Sequence, residues 1–309
     1  MVKEKNMKKN QSNIKVSMGE RIFYFLNYVF FIICAAITIF PLLYLLSMSL
    51  SSSNAINSGK VFLLPVETTL AAYKNIVEDG QILYAFKNTI VITVAGTVLN
   101  MISTILCAYP LSRKRLKGRG IFSGLIVFTM MFSGGMIPNF LLVKSLGLMD
   151  THWALWLPGL ISVYNMIVLR SFFQGIPDSL EEAAQVDGAN DIYILIRIIL
   201  PLSGPVLATL VLFYAVGWWN EYFNAMIYLN SSSLQPMQLK LMQLLQNINQ
   251  ELLSNTSGSA GALEQDKQDL VSESVRAAST VITVLPILCV YPFLQKYFVK
   301  GVMVGSVKG

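Results

Sequence analysis

Charge is what this sequence lacks most. Of its 309 residues only 13% are Asp, Glu, Lys or Arg, and 54% are hydrophobic, whereas a soluble domain usually carries roughly a quarter charged residues. Histidine is nearly missing: His152 stands alone, so neither an HExxH helix nor a histidine-rich metal site can be built, and a lone histidine in a loop reads as polar surface. No GxSxG elbow presents a nucleophile, and no GxxxxGK[ST] loop cradles nucleotide phosphates. The three cysteines, Cys34, Cys107 and Cys289, lie inside apolar runs without metal-ligand spacing and are expected to be packing residues. The apolar runs also lack the ionisable residues that ion-driven carriers place at mid-membrane. If the chain transports anything, its energy has to come from a partner.

What is present is a series of apolar runs near ~20 residues, the length that crosses a hydrocarbon core of about 30 Å. Six are readable, at about 22–49, 89–111, 121–143, 154–172, 202–222 and 277–294. The first follows a basic segment, residues 1–21. It is too long for a signal-peptide core and no convincing cleavage site follows, so it reads as a retained span that Pro41 should kink. In the third, Met130, Met131 and the "SGG" at Ser133–Gly135 mark an adaptable bend. The net charge of +6 is not the footprint of nucleic acid, because the basic residues flank apolar runs instead of gathering on one surface. They crowd the N-terminal segment, the "SRKRLKGRG" loop (Arg113, Lys114, Arg115, Lys117, Arg119) and the tail, and positive-inside bias puts these and both termini in the cytoplasm. The connection between the fourth and fifth runs falls on the same side. Outside, the segment 230–275 contains "LKLMQLLQNINQELL", whose Leu241, Leu245, Ile248 and Leu252 recur on one helical face, and then a flexible "SNTSGSAGA".

Between the fourth and fifth runs lies "DSLEEAAQVDGANDIYILIRIILP", residues 178–201. Ser179 and Glu182 fit an S-x-x-E capping box, and Glu181 and Glu182 sit where a helix dipole favours negative charge. Gly188, after Asp187, takes the position where a left-handed residue ends a helix. Asn190 or Asp191 can then cap a second helix that runs to Pro201. The code is helix, glycine turn, helix, over 178–200. A first helix of about eight residues is not stable alone in water, so it must dock. Leu180, Ala183, Ala184 and Asp187 share a face that is small in the middle and carboxylate-edged, suited to a groove on another protein. Helices that rest on a membrane surface are instead rich in Lys and Arg.

"EAAQVDGANDIYILIRIILP" resembles the EAA motif of ABC importer permeases, E-A-A-x(3)-G-x(9)-I-x-L-P, with Glu182, Ala183, Ala184, Gly188, Ile198, Leu200 and Pro201 on its defined positions. "CAYPLSR" at Cys107–Arg113 is similar to the family's A-A-Y-A-L-S-R, with Pro110 in place of the usual Ala. "WNEYFNAMIYL" and the tail "KYFVKGVMVGSVKG" resemble the MalG-like, carbohydrate-uptake branch, nearest to its members for complex oligosaccharides in Gram-positive bacteria. The resemblance extends over nearly the whole chain. It implies an all-α membrane protein with the six-span type I importer fold, a permease domain over 22–296 and a cytoplasmic tail over 297–309. It also implies that the chain is a pore-forming subunit and not an enzyme. The helix pair would couple to a cytoplasmic ATPase dimer through Glu181, Glu182, Ala183, Ala184, Asp187, Gly188 and Pro201. Tyr297, Lys300, Gly301, Gly305 and Lys308 would give the tail a second ATPase contact. The chain would hold no cofactor, ATP and Mg being bound by the ATPase. A second, homologous permease and an extracellular solute-binding lipoprotein would complete a machine in the bacterial cell membrane, surrounded by lipid and carrying an oligosaccharide.

"WWNEYFNAMIY" gathers Trp218, Trp219, Asn220, Glu221, Tyr222 and Asn224 at the outer end of the fifth run. Aromatic faces with amides and a carboxylate suit a sugar pathway, and the same residues suit an interfacial aromatic belt. An ABC permease for a non-sugar solute and an ion-driven carrier are the alternative functions.

Overall fold

The computed structural model describes residues 17–132, 134–244, 246, 273–289 and 292, and among these all regular structure is helical. Two helices of 32 residues organise it, α1 (Met18–Ser49) and α4 (Gln81–Ser112), joined through α2 (Ser53–Asn57) and α3 (Ala71–Asp79). At about 1.5 Å per residue each exceeds the thickness of a hydrocarbon core. α1 runs unbroken through Pro41. None of its most apolar stretch is buried against the rest of the chain. Its C-terminal end packs inward, where Met48, with Tyr44 and Leu45 beside it, meets Ala55, Val61 and Ala277.

α4 is the central helix. α8 (Val163–Gln174) and α11 (Gly204–Trp219) lie against it. Ile92, Met101, Ala108 and Tyr109 of α4 share one core with Met166, Leu169 and Phe173 of α8 and with Leu210, Tyr214 and Trp218 of α11. Where lipid removes the hydrophobic drive between helices, close approach at small residues and interhelical hydrogen bonds hold them. Both devices occur here. Gly96 leaves room for the Trp218 ring, which would stand 2.7 Å from a β-carbon at that position. Thr104 Oγ1 and the Tyr214 hydroxyl, both buried, are 2.7 Å apart.

Two of the expected spans are not continuous helices. The third is α5 (Arg119–Met131) and α6 (Met136–Ser145), whose axes differ by 112°, with Gly135 at φ +90° leading into α6. The fourth is a single turn, α7 (Trp153–Trp156), and then α8, separated at Pro158 and Gly159. Backbone opened in this way needs partners inside the protein. Asn100 supplies them, donating through Nδ2 to the carbonyls of Gly159 (2.6 Å) and Leu160 (3.0 Å), while the Tyr214 hydroxyl accepts from Ser162 N–H at 3.3 Å. The fifth is continuous as α11, and an 85° bend at Ser203 sets it off from the preceding helix Asp191–Leu202. Two described helices are therefore long and apolar enough to cross a membrane, or four when each bent pair counts as one span. The sixth expected span runs past the described part of helix 273–289.

Smaller expectations also changed. Cys34 and Cys289 are exposed on their helices and only Cys107 is half-buried, because a residue in an apolar run can face lipid as readily as core. His152 is not free surface: its ring is half-buried beside Trp156, with Nε2 3.3 Å from the Leu234 carbonyl. In the outer segment residues 237–244 are helical and Leu241 is half-buried, while Leu245, Ile248 and Leu252 lie outside the described residues.

Candidate functional site

The polar stretch between the fourth and fifth runs forms two helices, α9 (Asp178–Val186) and α10, which begins at Asp191. The capping box expected from Ser179 and Glu182 is not made. The N-cap falls two residues earlier, at Pro177, whose backbone (φ −56°, ψ 130°) sets the entry, and no side chain caps the helix. Asp178 is drawn into an ion pair with Lys114 (3.1 Å). The other end follows the local code. Ala189 N–H donates to the Ala184 carbonyl (2.9 Å) and Gly188 N–H to that of Gln185 (3.0 Å), with Gly188 at φ +84°; this is the Schellman arrangement that closes a helix on a left-handed residue. Asn190 Oδ1 then accepts from Tyr193 N–H at 2.8 Å and caps α10. α10 widens into a π-turn over Leu195–Ile199 before Pro201. Proline lacks the donor for the carbonyl four residues back and crowds it, which accounts for the loosened turn. Pro201 itself lies exposed in the last turn, Leu200–Leu202.

The face α9 turns outward is not quite the one its periodicity suggested. Glu181 is 7% exposed and Ala184 is half-buried against the core, whereas Leu180, Glu182, Ala183 and Asp187 are exposed and Val186 is 88% exposed. Val186 went unnoticed in the sequence, although an apolar residue one turn beyond Glu182 on an acidic helix is a signal. Behind the helix turn lies an open cleft of about 670 Å³ bounded by Ala184, Asp187, Gly188, Asn190, Tyr193 and Arg197.

The inner face is held by the loop after α4, which the sequence had marked only as a topology signal. Arg113 Nη2 stands 2.7 Å from Glu181 Oε1, with both side chains nearly inaccessible. The approach is off the line of a hydrogen bond, and those atoms have no other partner among the described residues. Burial pushes the Glu181 carboxyl above its ordinary range, with Arg113 drawing it partly back. The Arg113 guanidinium also lies 5.1 Å from the centre of the Tyr109 ring, and Tyr109 meets Phe173 of α8 edge-on. Lys114–Asp178 and Arg115–Asp191 flank this pair at the exposed rim, Asp191 holding the Arg115 guanidinium above its usual range. Rim pairs of this kind contribute on the order of 0–1 kcal/mol each. The buried pair carries a desolvation cost, and breaking it by removing one partner is the damaging change.

At the far end the residues around Trp218 divide. Trp218 is buried, donating to Asn100 Oδ1 at 2.8 Å. Trp219 is half-buried, with Nε1 3.3 Å from the Thr283 carbonyl and its ring against Phe86. Glu221 accepts from the Asn224 N–H (2.9 Å) and side-chain amide (3.0 Å), fixing the start of α12 (Phe223–Tyr228). The Asn220 amide donates to the Val216 carbonyl (2.9 Å), and Tyr222 is exposed. Beyond α12, Asp150, at φ +58°, accepts from the N–H groups of Asn230 (2.9 Å) and Ser231 (2.8 Å) and from the Ser231 hydroxyl. Those bonds, the hydroxyl's first, hold its carboxyl below the ordinary range. The tail residues Tyr297, Lys300, Gly301, Gly305 and Lys308 lie outside the described residues.

Apolar helices packed around a common core, with an acidic helix presented at their end, define a polytopic membrane protein. The family model described as the inner membrane component of binding-protein-dependent transport systems matches residues 101–304, and the chain belongs to that family. It is similar to Protein LplC of Bacillus subtilis (strain 168), at 43% identity over 94% of this chain and 96% of that protein. It is also similar to the polygalacturonan/rhamnogalacturonan transport system permease protein YtcP of the same organism, at 42% identity over 94% of this chain and all of that one. The fold matches a chain in the crystal structure of a bacterial ABC transporter involved in the import of the acidic polysaccharide alginate. The TM-score is 0.82 and the identity 37%, over 91% of this chain and 98% of the other. The fold is that of an ABC importer permease.

Proposed function

We propose that this chain is the permease subunit of an ABC importer that moves oligosaccharides inward. It forms half of a pore completed by a second, different permease, and it makes no catalytic contribution of its own. An extracellular solute-binding lipoprotein delivers the sugar, and a cytoplasmic ATPase dimer, holding ATP and Mg, drives the cycle. Both termini and the α9–α10 pair face the cytoplasm.

The observation that carries the reading is the outward face of α9, on which Glu182, Ala183 and Asp187 surround a Val186 left 88% exposed. An apolar residue so exposed beside carboxylates, on a helix too short to stand alone, fits the groove of a soluble protein better than it fits lipid. Family membership supplies the kind of partner. The two relatives named for polygalacturonan/rhamnogalacturonan and alginate support an acidic polysaccharide fragment as the first cargo to try.

A pull-down of the tagged chain in mild detergent should recover a second permease, an ATPase and a binding lipoprotein. Titration of that lipoprotein with uronate oligosaccharides and with neutral ones should favour the former. Isolation of the chain alone, active in proteoliposomes with an ion gradient and no ATPase, would overturn the proposal.

A further inference from the structure

The adjacent glutamates of α9 point opposite ways. Glu182 is exposed, while Glu181 is buried on Arg113, the residue that ends α4. Arg113 is in turn packed over Tyr109, and Tyr109 over Phe173. Through this one guanidinium the end of the central helix, the end of α8 and the acidic helix meet. Glu181 and Arg113 are only 7% and 5% exposed, so their effect on coupling runs through the chain itself.

We propose that the Arg113–Glu181 pair is the joint that transmits movement of the docking helix to the central helix α4. This inference rests on the reading of α9 as the ATPase-docking helix. Two features favour a joint over a simple packing contact. The charges are buried together without hydrogen-bond alignment, so the attraction is poorly spent if stability alone is its purpose. The pair also sits where the chain has few other ties. Among the described residues α9 is otherwise attached to the body by the partly buried Ala184, by Ile176 before it and Ala189 after it, and by the exposed Lys114–Asp178 pair. Remove the buried pair and the helix can tilt on its own when pushed. Both residues are positioning residues.

The test uses the assembled complex with its ATPase and binding protein in nanodiscs. Spin labels are placed on the exposed residues Leu83 of α4 and Ile121 of α5 in a background without Cys34, Cys107 and Cys289, and ATP with vanadate is the probe. In the parent complex the label separation should change on trapping. E181Q and R113M should bind the ATPase as the parent does and yet respond about tenfold less. The exchanged pair R113E/E181R should recover the response, and E182Q should instead lose ATPase binding. Three results overturn the inference: a parent-like response in E181Q and R113M, loss of ATPase binding in E181Q equal to that in E182Q, or failure of all Arg113 and Glu181 variants, the apolar pair R113M/E181L included, to accumulate in the membrane. If neither the parent nor E182Q binds an ATPase, the reading of α9 falls and the joint falls with it.

Discussion

Trp218 Nε1 donates to Asn100 Oδ1 at 2.8 Å in the buried seam between α11 and α4, and the same Asn100 donates twice to the broken backbone at Gly159 and Leu160. One amide thus ties three segments at a depth where an unpaired polar group is expensive. Asn100→Leu should leave the indole N–H and two carbonyls unsatisfied, costing about 1–3 kcal/mol for each group that finds no substitute. Thermal unfolding in detergent should show a clear fall in midpoint, with no comparable fall for a substitution on the exposed side of α4 such as Val98→Leu.

Gly96 is a second constraint on the same ring. A β-carbon there would lie 2.7 Å from the rigid Trp218 side chain. Gly96→Ala should destabilise by about 1–3 kcal/mol through overpacking. Gly120→Ala, where a β-carbon meets nothing within 4 Å, should be neutral or slightly stabilising in the same assay.

Gly188 sits at φ +84° with open space around it, so a substitution there strains the backbone and collides with nothing. Gly188→Val should weaken the turn between α9 and α10 by about 1–2 kcal/mol. Gly188→Asn, a residue that tolerates the left-handed region, should lose much less. Transport by the full complex, relative to ATP hydrolysed, should rank wild type, Asn, Val and then Pro.

Asp150 makes its connection to Asn230 and Ser231 dependent on pH. Its carboxyl titrates below the ordinary aspartate range because Ser231 and Asn230 donate to its charged form. The folded pKa is lowered, so the contribution is complete above the unfolded value and is lost as pH falls through the folded one. Limited proteolysis around residues 229–235 should therefore quicken in acid, below the ordinary aspartate range. Asp150→Asn should be cleaved at an elevated rate that no longer depends on pH.

The sequence by itself determined whatever is written in short stretches. The scarcity of charge and the apolar runs define a membrane protein. Gly188 and Asn190 define a turn and a cap, because left-handed backbone and an orphan N–H are matters of a few neighbouring residues. The EAA spacing singles out α9, the helix we propose as the docking helix. Tertiary structure decided which way that helix faces. Periodicity grouped Ala184 with the outer surface and left Val186 unread, and it could not separate Glu181 from Glu182 until Arg113 arrived from the end of another helix. Tertiary structure also decided that Trp218 packs in the core and that the fourth run breaks at Gly159, since the partner that permits both is Asn100, far away in the chain. Local backbone chemistry can be read from neighbouring residues. Buried hydrogen bonds and ion pairs depend on which distant segment supplies the other half.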